Sequence, residues 1–150
     1  MANGFTQREL LAWGGLLRTH AQLDRVIDAD LRAHDGITHV EFEVLLRLSL
    51  SDQARMRIQD LATTSLLTRS GMSRLLDRME RAGVIERQAA PEDGRGAYAA
   101  LTDQGRALFD QASARHITHV RSIFHSRLTP EELDTLAVIW AKLAAPGEPA

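Results

Sequence analysis

The segment TRSGMSRLLDR, Thr68 to Arg78, sets hydroxyls and guanidiniums at the start of an amphipathic stretch. Thr68 has the short oxygen-bearing side chain that caps a helix start. Arg69, Ser70 and Ser73 follow in the first turns, and these types suit base edges. Arginine bonds guanine bidentately, while serine is short and accepts or donates. Arg74 and Arg78 lie one turn apart and suit phosphate oxygens. A further arginine, Arg95, stands between two glycines in PEDGRG, where the backbone can bring its guanidinium close to a partner. Such a tip fits a minor groove, where it reads width and A·T content more than base order. The chemistry implied is recognition of a duplex polyanion.

The elements that must position these groups follow from the flanking pattern. IQDLATTS is a short helix, and TRSGMSRLLDRMERAG a second, ending at Gly83, with a tight turn between them. Leu75, Leu76 and Met79 are spaced to face a core. VIERQAA and AYAALT flank the Gly-rich tip as a two-stranded hairpin, the wing. A solvated helix face is the competing reading of the arginines, with Asp77 pairing Arg74 or Arg81. Arg78 either grips phosphate or pairs with a neighbouring acid; Arg81 and Arg87 read as solvated surface.

Helix starts are marked by Thr6, Thr38 and Thr129, each three residues before a glutamate, Glu9, Glu41 and Glu132. That spacing is a capping box. The first helix runs from about Gln7 to His34 and stops at Gly36, with Gly14 and Gly15 implying a bend or a close neighbour. The second spans about Val40 to Leu50. Met56, Arg57 and Ile58 add a brief third strand beside the hairpin. Thr102 caps a long helix from about Asp103 to Ser126, some 36 Å at about 1.5 Å per residue. The last helix runs from about Pro130 to Ala144. The fold class expected is mainly α with a small β-hairpin wing: a winged helix-turn-helix over about 38–102, within a single domain spanning 1–150, flanked by long N- and C-terminal dimerisation helices over about 6–35 and 103–145. Leu10 and Leu17, with Ile117, Val120, Ile123, Phe124, Leu133, Leu136, Ile139 and Trp140, form apolar stripes for a two-fold interface. The alternative is that these helices only wrap their own subunit.

Composition narrows the classes. The chain has 150 residues, 44% hydrophobic and 25% charged, as in soluble globular proteins. No apolar run is long enough to span a bilayer. MANGFTQREL lacks the pattern of a secretory signal, so a cytoplasmic location with no membrane partner is expected. There is no cysteine, which excludes disulfides, thiolate metal sites and thiol sensors. The net charge of −2 opposes a polyanion partner, but Arg55 to Arg106 holds nine arginines against seven acids. Affinity for DNA depends on such local contacts. No nucleophile motif, no P-loop and no paired carboxylates with an obvious shared cleft occur, so neither an enzyme nor a bound cofactor is expected.

LATTSLLTRSGMSRLLDRMERAGVIER, then Asp93-x-Arg95-Gly96, then Ala99-x-Leu101-Thr102-x-x-Gly105, make a chain that resembles the MarR family of winged-helix transcriptional regulators along nearly its whole length. The resemblance implies a homodimer held by its first, fifth and sixth helices, binding palindromic operators in double-stranded DNA, usually as a repressor. It also implies release by a small phenolic or aromatic acid between the dimerisation helices and the winged module. Trp13, His20, His39, Phe42 and Arg47 are the candidate contacts, although Trp13 and Phe42 at helical spacing are more often plain core. His116 and His119, one turn apart, raise a metal-responsive alternative without a second paired motif. A winged-helix module for protein assembly, without DNA binding, is the other rival.

Overall fold

The computed structural model describes residues 4–63, 67–90 and 96–144. It forms two compact units, Met1–Ala114 and Arg115–Ala150.

In the first unit, α1 (Gln7–Asp35) starts where the Thr6 hydroxyl accepts the Glu9 N–H and the Glu9 carboxylate accepts the Thr6 N–H. It stops at Gly36, whose φ of 70° is left-handed and suits a residue without Cβ. Thr38 and Glu41 repeat the capping box for α2 (His39–Leu50), which buries Phe42, Val44, Leu45 and Leu48. A single 3-10 turn leads into β1 (Arg55–Arg57). The brief third strand therefore exists, but it begins at Arg55, and Ile58 already belongs to α3 (Ile58–Thr63). Then come α4 (Arg69–Arg81), β2 (Ile85–Ala89), β3 (Ala97–Leu101) and the start of α5 (Asp103–Ile123). The sheet is antiparallel in the order β1-β3-β2, with Arg57 opposite Tyr98 and Ile85 opposite Leu101. Its core joins the helices, β2 and β3 through Leu31, Leu45, Leu61, Met72, Leu76, Ile85, Ala99 and Phe109, with Met56 of β1 packed against it.

One junction fixes how α4, the wing and α5 meet. The Thr102 hydroxyl donates to the Gly83 carbonyl at 2.7 Å and accepts the Gly105 N–H at 3.0 Å. The Thr102 N–H donates to the Val84 carbonyl at 3.3 Å. A Cβ at Gly105 would stand 1.9 Å from that same carbonyl oxygen. Backbone occupies the space, so no rotamer change relieves the overlap.

Along α1 only Leu31 is buried. Neither Gly14 nor Gly15 is closely packed by other elements among the described residues. A Cβ on Gly15 would meet nothing within 4 Å, and one on Gly14 only the Arg18 side chain. Phe5, Leu10, Leu11, Trp13 and Leu17 are all exposed.

The second unit holds the end of α5 and α6 (Pro130–Leu143). The fifth helix ends at Ile123, three residues before the expected Ser126, because Phe124 leaves helical geometry and a 3-10 turn, His125–Arg127, follows. Thr129 and Glu132 form a third capping box, with Pro130 in the first turn. The sixth helix buries no residue; Val138, Ile139, Trp140 and Leu143 are exposed. Among the described residues, no helix is long and apolar enough to cross a membrane.

Gly105→Ala is expected to cost about 3 kcal/mol of stability, read as a lower urea midpoint. An unchanged midpoint would show that the junction yields freely.

Candidate nucleic-acid interface

The fourth helix is divided into two faces. Met72, Leu75, Leu76 and Met79 are buried, whereas Ser70, Ser73, Arg74, Asp77, Arg78 and Arg81 are exposed. This is the segregation expected of a helix that packs one face and offers the other to a partner. The exposed Thr68 hydroxyl caps the helix by accepting the Gly71 N–H at 3.1 Å, and lies 3.2 Å from the Ser70 hydroxyl. The first turn therefore combines short polar side chains with the positive end of the helix dipole, which favours an anionic partner. Arg74 donates only a long bond, 3.4 Å, to the Ser70 carbonyl. The Arg74–Asp77 ion pair of the competing solvated-face reading is absent among the described residues. The Arg69 side chain, and Arg95 with the rest of 91–95, lie outside the described residues.

Asp77 serves another arginine. Arg87 on β2 donates to Asp77 Oδ1 at 2.6 Å and to the Glu80 carboxylate, and its backbone N–H donates to Glu80 Oε1 at 3.2 Å. Expected as solvated surface, Arg87 instead ties the wing to α4. Arg81 reaches the Asp77 carbonyl, not its carboxylate. Both differences have one reason: the strand folds back beside the helix and brings a cation from outside the helical repeat.

Arg78 also finds a partner beyond its own helix. Its Nε donates to Glu41 Oε1 on α2 at 2.7 Å. The other Glu41 oxygen accepts the Thr38 N–H at 2.7 Å and the Thr38 hydroxyl at 2.9 Å. Burial opposes the charge on Glu41, but the Thr38 and Arg78 hydrogen bonds outweigh it and hold the carboxyl below its ordinary value. A phosphate role for Arg78 therefore competes with an intramolecular one.

Sequence reasoning missed a second cationic cluster. The guanidiniums of Arg55 and Arg57 lie 4.7 and 5.4 Å from the Tyr98 ring centroid, within cation–π range. Their signal was two arginines at strand spacing, legible only once Tyr98 is known to sit opposite Arg57.

The five ligand candidates are not assembled by one described cavity. Phe42 is core, stacked on Phe109 with centroids 5.8 Å apart, so its ring is closed to a ligand. His39 bonds Asp24 at 2.7 Å, and Arg47 lies 3.9 Å from Glu43. Trp13 and His20 are exposed along α1. A cavity of about 660 Å³ instead opens among Arg32, Ile37, Glu41, Arg78, Ala82 and Gln104. No group of three or more His, Asp or Glu suited to a metal occurs among the described residues, so nothing there supports metal sensing through His116 and His119.

Comparison with known proteins places this geometry. A family model described as the MarR family matches residues 35–96. The uncharacterized HTH-type transcriptional regulator YkoM of Bacillus subtilis is 32% identical over 113 residues, 75% of this chain and 71% of that one. Among solved structures, Sco3205 of Streptomyces coelicolor, a MarR family regulator in complex with DNA, superposes with a TM-score of 0.89 at 31% identity, over 99% of this chain and 93% of that one. A mutant of Escherichia coli MarR complexed with operator DNA gives 0.78 at 26% identity, over 95% of this chain and 100% of that one.

The sign of the Glu41 shift fixes an acid dependence. Its folded pKa lies below the ordinary 4.5, so the stabilisation is present above that value and lost as pH falls through the lowered one. Urea unfolding across the acid limb is expected to show a shallower loss for Glu41→Gln than for wild type. Parallel curves would refute the assignment.

Proposed function

The chain belongs to the MarR family of transcriptional regulators, and we propose that it acts as a homodimer that lays two copies of α4 in successive major grooves of a palindromic operator. It is a DNA-binding regulator, not an enzyme. The observation that carries the finer reading is the division of α4, which leaves Ser70, Ser73 and Arg74 exposed beside a capped N-terminus. With Arg69, the two serines are assigned to base edges, Arg74 to phosphate, and Arg95 to the minor groove. Thr68 presents the helix start and acts chiefly as its cap. Bidentate arginine contacts are worth about 1–3 kcal/mol of discrimination each.

Dimerisation is supported by what one subunit leaves uncovered. Leu10, Leu17 and Trp13 on α1 are exposed, as are Ile139 and Trp140 on α6 and Ile117 on α5. Val120, Ile123, Phe124, Leu133 and Leu136 are only half-buried. Apolar stripes on helices with nearly no core of their own favour an isologous partner. A two-fold dimer also sets paired reading helices about one DNA turn apart. Repression is the usual mode that the family resemblance implies, and it fits a dimer that covers an operator. Trp13 and His20 remain the candidate contacts for a releasing aromatic acid, since both are accessible on α1. The family and the absence of a membrane-spanning helix among the described residues are in keeping with action in the cytoplasm.

Arg74→Ala is expected to weaken binding to all duplexes and reduce the salt slope by about one, whereas Ser73→Ala changes which duplexes are preferred. Titrations of a duplex selected from a random pool, at several salt concentrations, check this. An unaltered slope for Arg74→Ala would remove that residue from the interface.

A further inference from the structure

We propose that the Glu41–Arg78 pair sets the angle of the reading helix, so that Arg78 is a positioning residue acting on DNA through α2 instead of a phosphate ligand. The inference rests on the reading that α4 enters the groove. The two residues are 37 apart in sequence and bond at 2.7 Å. Glu41 is almost enclosed, its side chain 11% exposed, while Arg78 is 54% exposed. The carboxylate is also held on its far side by Thr38, through both the backbone N–H and the hydroxyl. It therefore has no freedom to follow Arg78 outward to a duplex. Arg78 must either stay or abandon a partner that would remain buried and unpaired, a costly arrangement.

Packing beside the pair strengthens the case. The cavity of about 660 Å³ lies against Glu41, Leu45, Arg78, Met79 and Ala82. Leu45 of α2 and Met79 of α4 line that cavity together with both members of the ion pair, so the pair lies at the edge of the apolar contact between the two helices. Arg78 also lies one turn beyond Arg74, about 6 Å further from the helix start, and so further from the end assigned to the groove. On its other side α2 is tied to α1. Asp28 accepts the Arg32 Nε at 2.6 Å and the His39 N–H at 2.9 Å. Carboxylates thus tie α1 to α2 at the His39 N–H and α2 to α4 at Glu41, and through these ties the orientation of the reading helix follows that of the helix proposed to carry the dimer.

The two roles predict opposite signs for one substitution. Glu41→Gln keeps the capping box, because glutamine accepts the same bonds, but removes the charge that holds Arg78. Operator affinity is measured on the duplex selected by the wild-type protein, for Glu41→Gln, Arg78→Gln and the double variant, across several salt concentrations. Thermal midpoints are recorded alongside to confirm folding. The positioning role predicts that each single variant loses about tenfold in affinity. The double variant should lose no more than either, and the salt slope should stay that of wild type. If Arg78 grips phosphate, Glu41→Gln binds as well as wild type or better, and Arg78→Gln alone lowers the slope by about one. That result, additive losses, or no loss in either variant overturns the proposal. Failure of the wild-type protein to enrich any duplex would instead overturn the DNA reading beneath it.

Discussion

Gly105 lets the first turn of α5 lie directly against the Val84 carbonyl, at a distance no side chain at that position would permit. Thr102 completes the contact from the same turn, donating its hydroxyl to Gly83 and its N–H to Val84. Gly83, with φ of 74°, reverses the chain immediately after α4, and β2 begins two residues later. Three elements are thereby joined over a few residues: the end of α4, the root of the wing, and the base of the long fifth helix. Any movement of α5 must be shared by α4 and the sheet, unless these backbone contacts break. This is why a small module can present a helix and a hairpin in fixed relation.

Charged contacts then refine a geometry that apolar burial holds up. Met72, Leu75, Leu76 and Met79 anchor α4 with side chains each worth roughly 1.5–3 kcal/mol when buried. Exposed ion pairs contribute little by comparison, about 0–1 kcal/mol. Their value here is directional. Arg87 holds the wing strand to Asp77 and Glu80 on one side of α4, while Glu41 holds Arg78 from α2 on the other. The helix is thus braced from two elements, and Arg74 is left without an acid among the described residues.

Local signals carried much of the fold. The capping boxes at Thr6, Thr38 and Thr129 were legible because all their atoms lie within four consecutive residues, and each is present. The buried face of α4 was legible from a 3.6-residue period, and the brief strand before α3 from its position beside the hairpin. Pairings across the fold were not. Nothing within the helical repeat tells Arg78 to choose Glu41, or Asp77 to choose Arg87 over Arg74 and Arg81. Phe42 was legible as core from its helical spacing, although it also stood among the ligand candidates, and it stacks on Phe109. Gly14 and Gly15 implied a bend or a close neighbour, yet among the described residues no other element packs closely against them.

Spacing is the most direct test of the central claim, that two subunits read one duplex together. Binding to a selected palindromic duplex is compared with binding to the same duplex carrying about 5 extra base pairs, half a helical turn, between its half-sites. The account predicts two chains per selected duplex and a loss of tight binding on the half-turn insertion, because the second α4 then faces the wrong side of the DNA. One chain per duplex, or equal affinity for both duplexes, would contradict it.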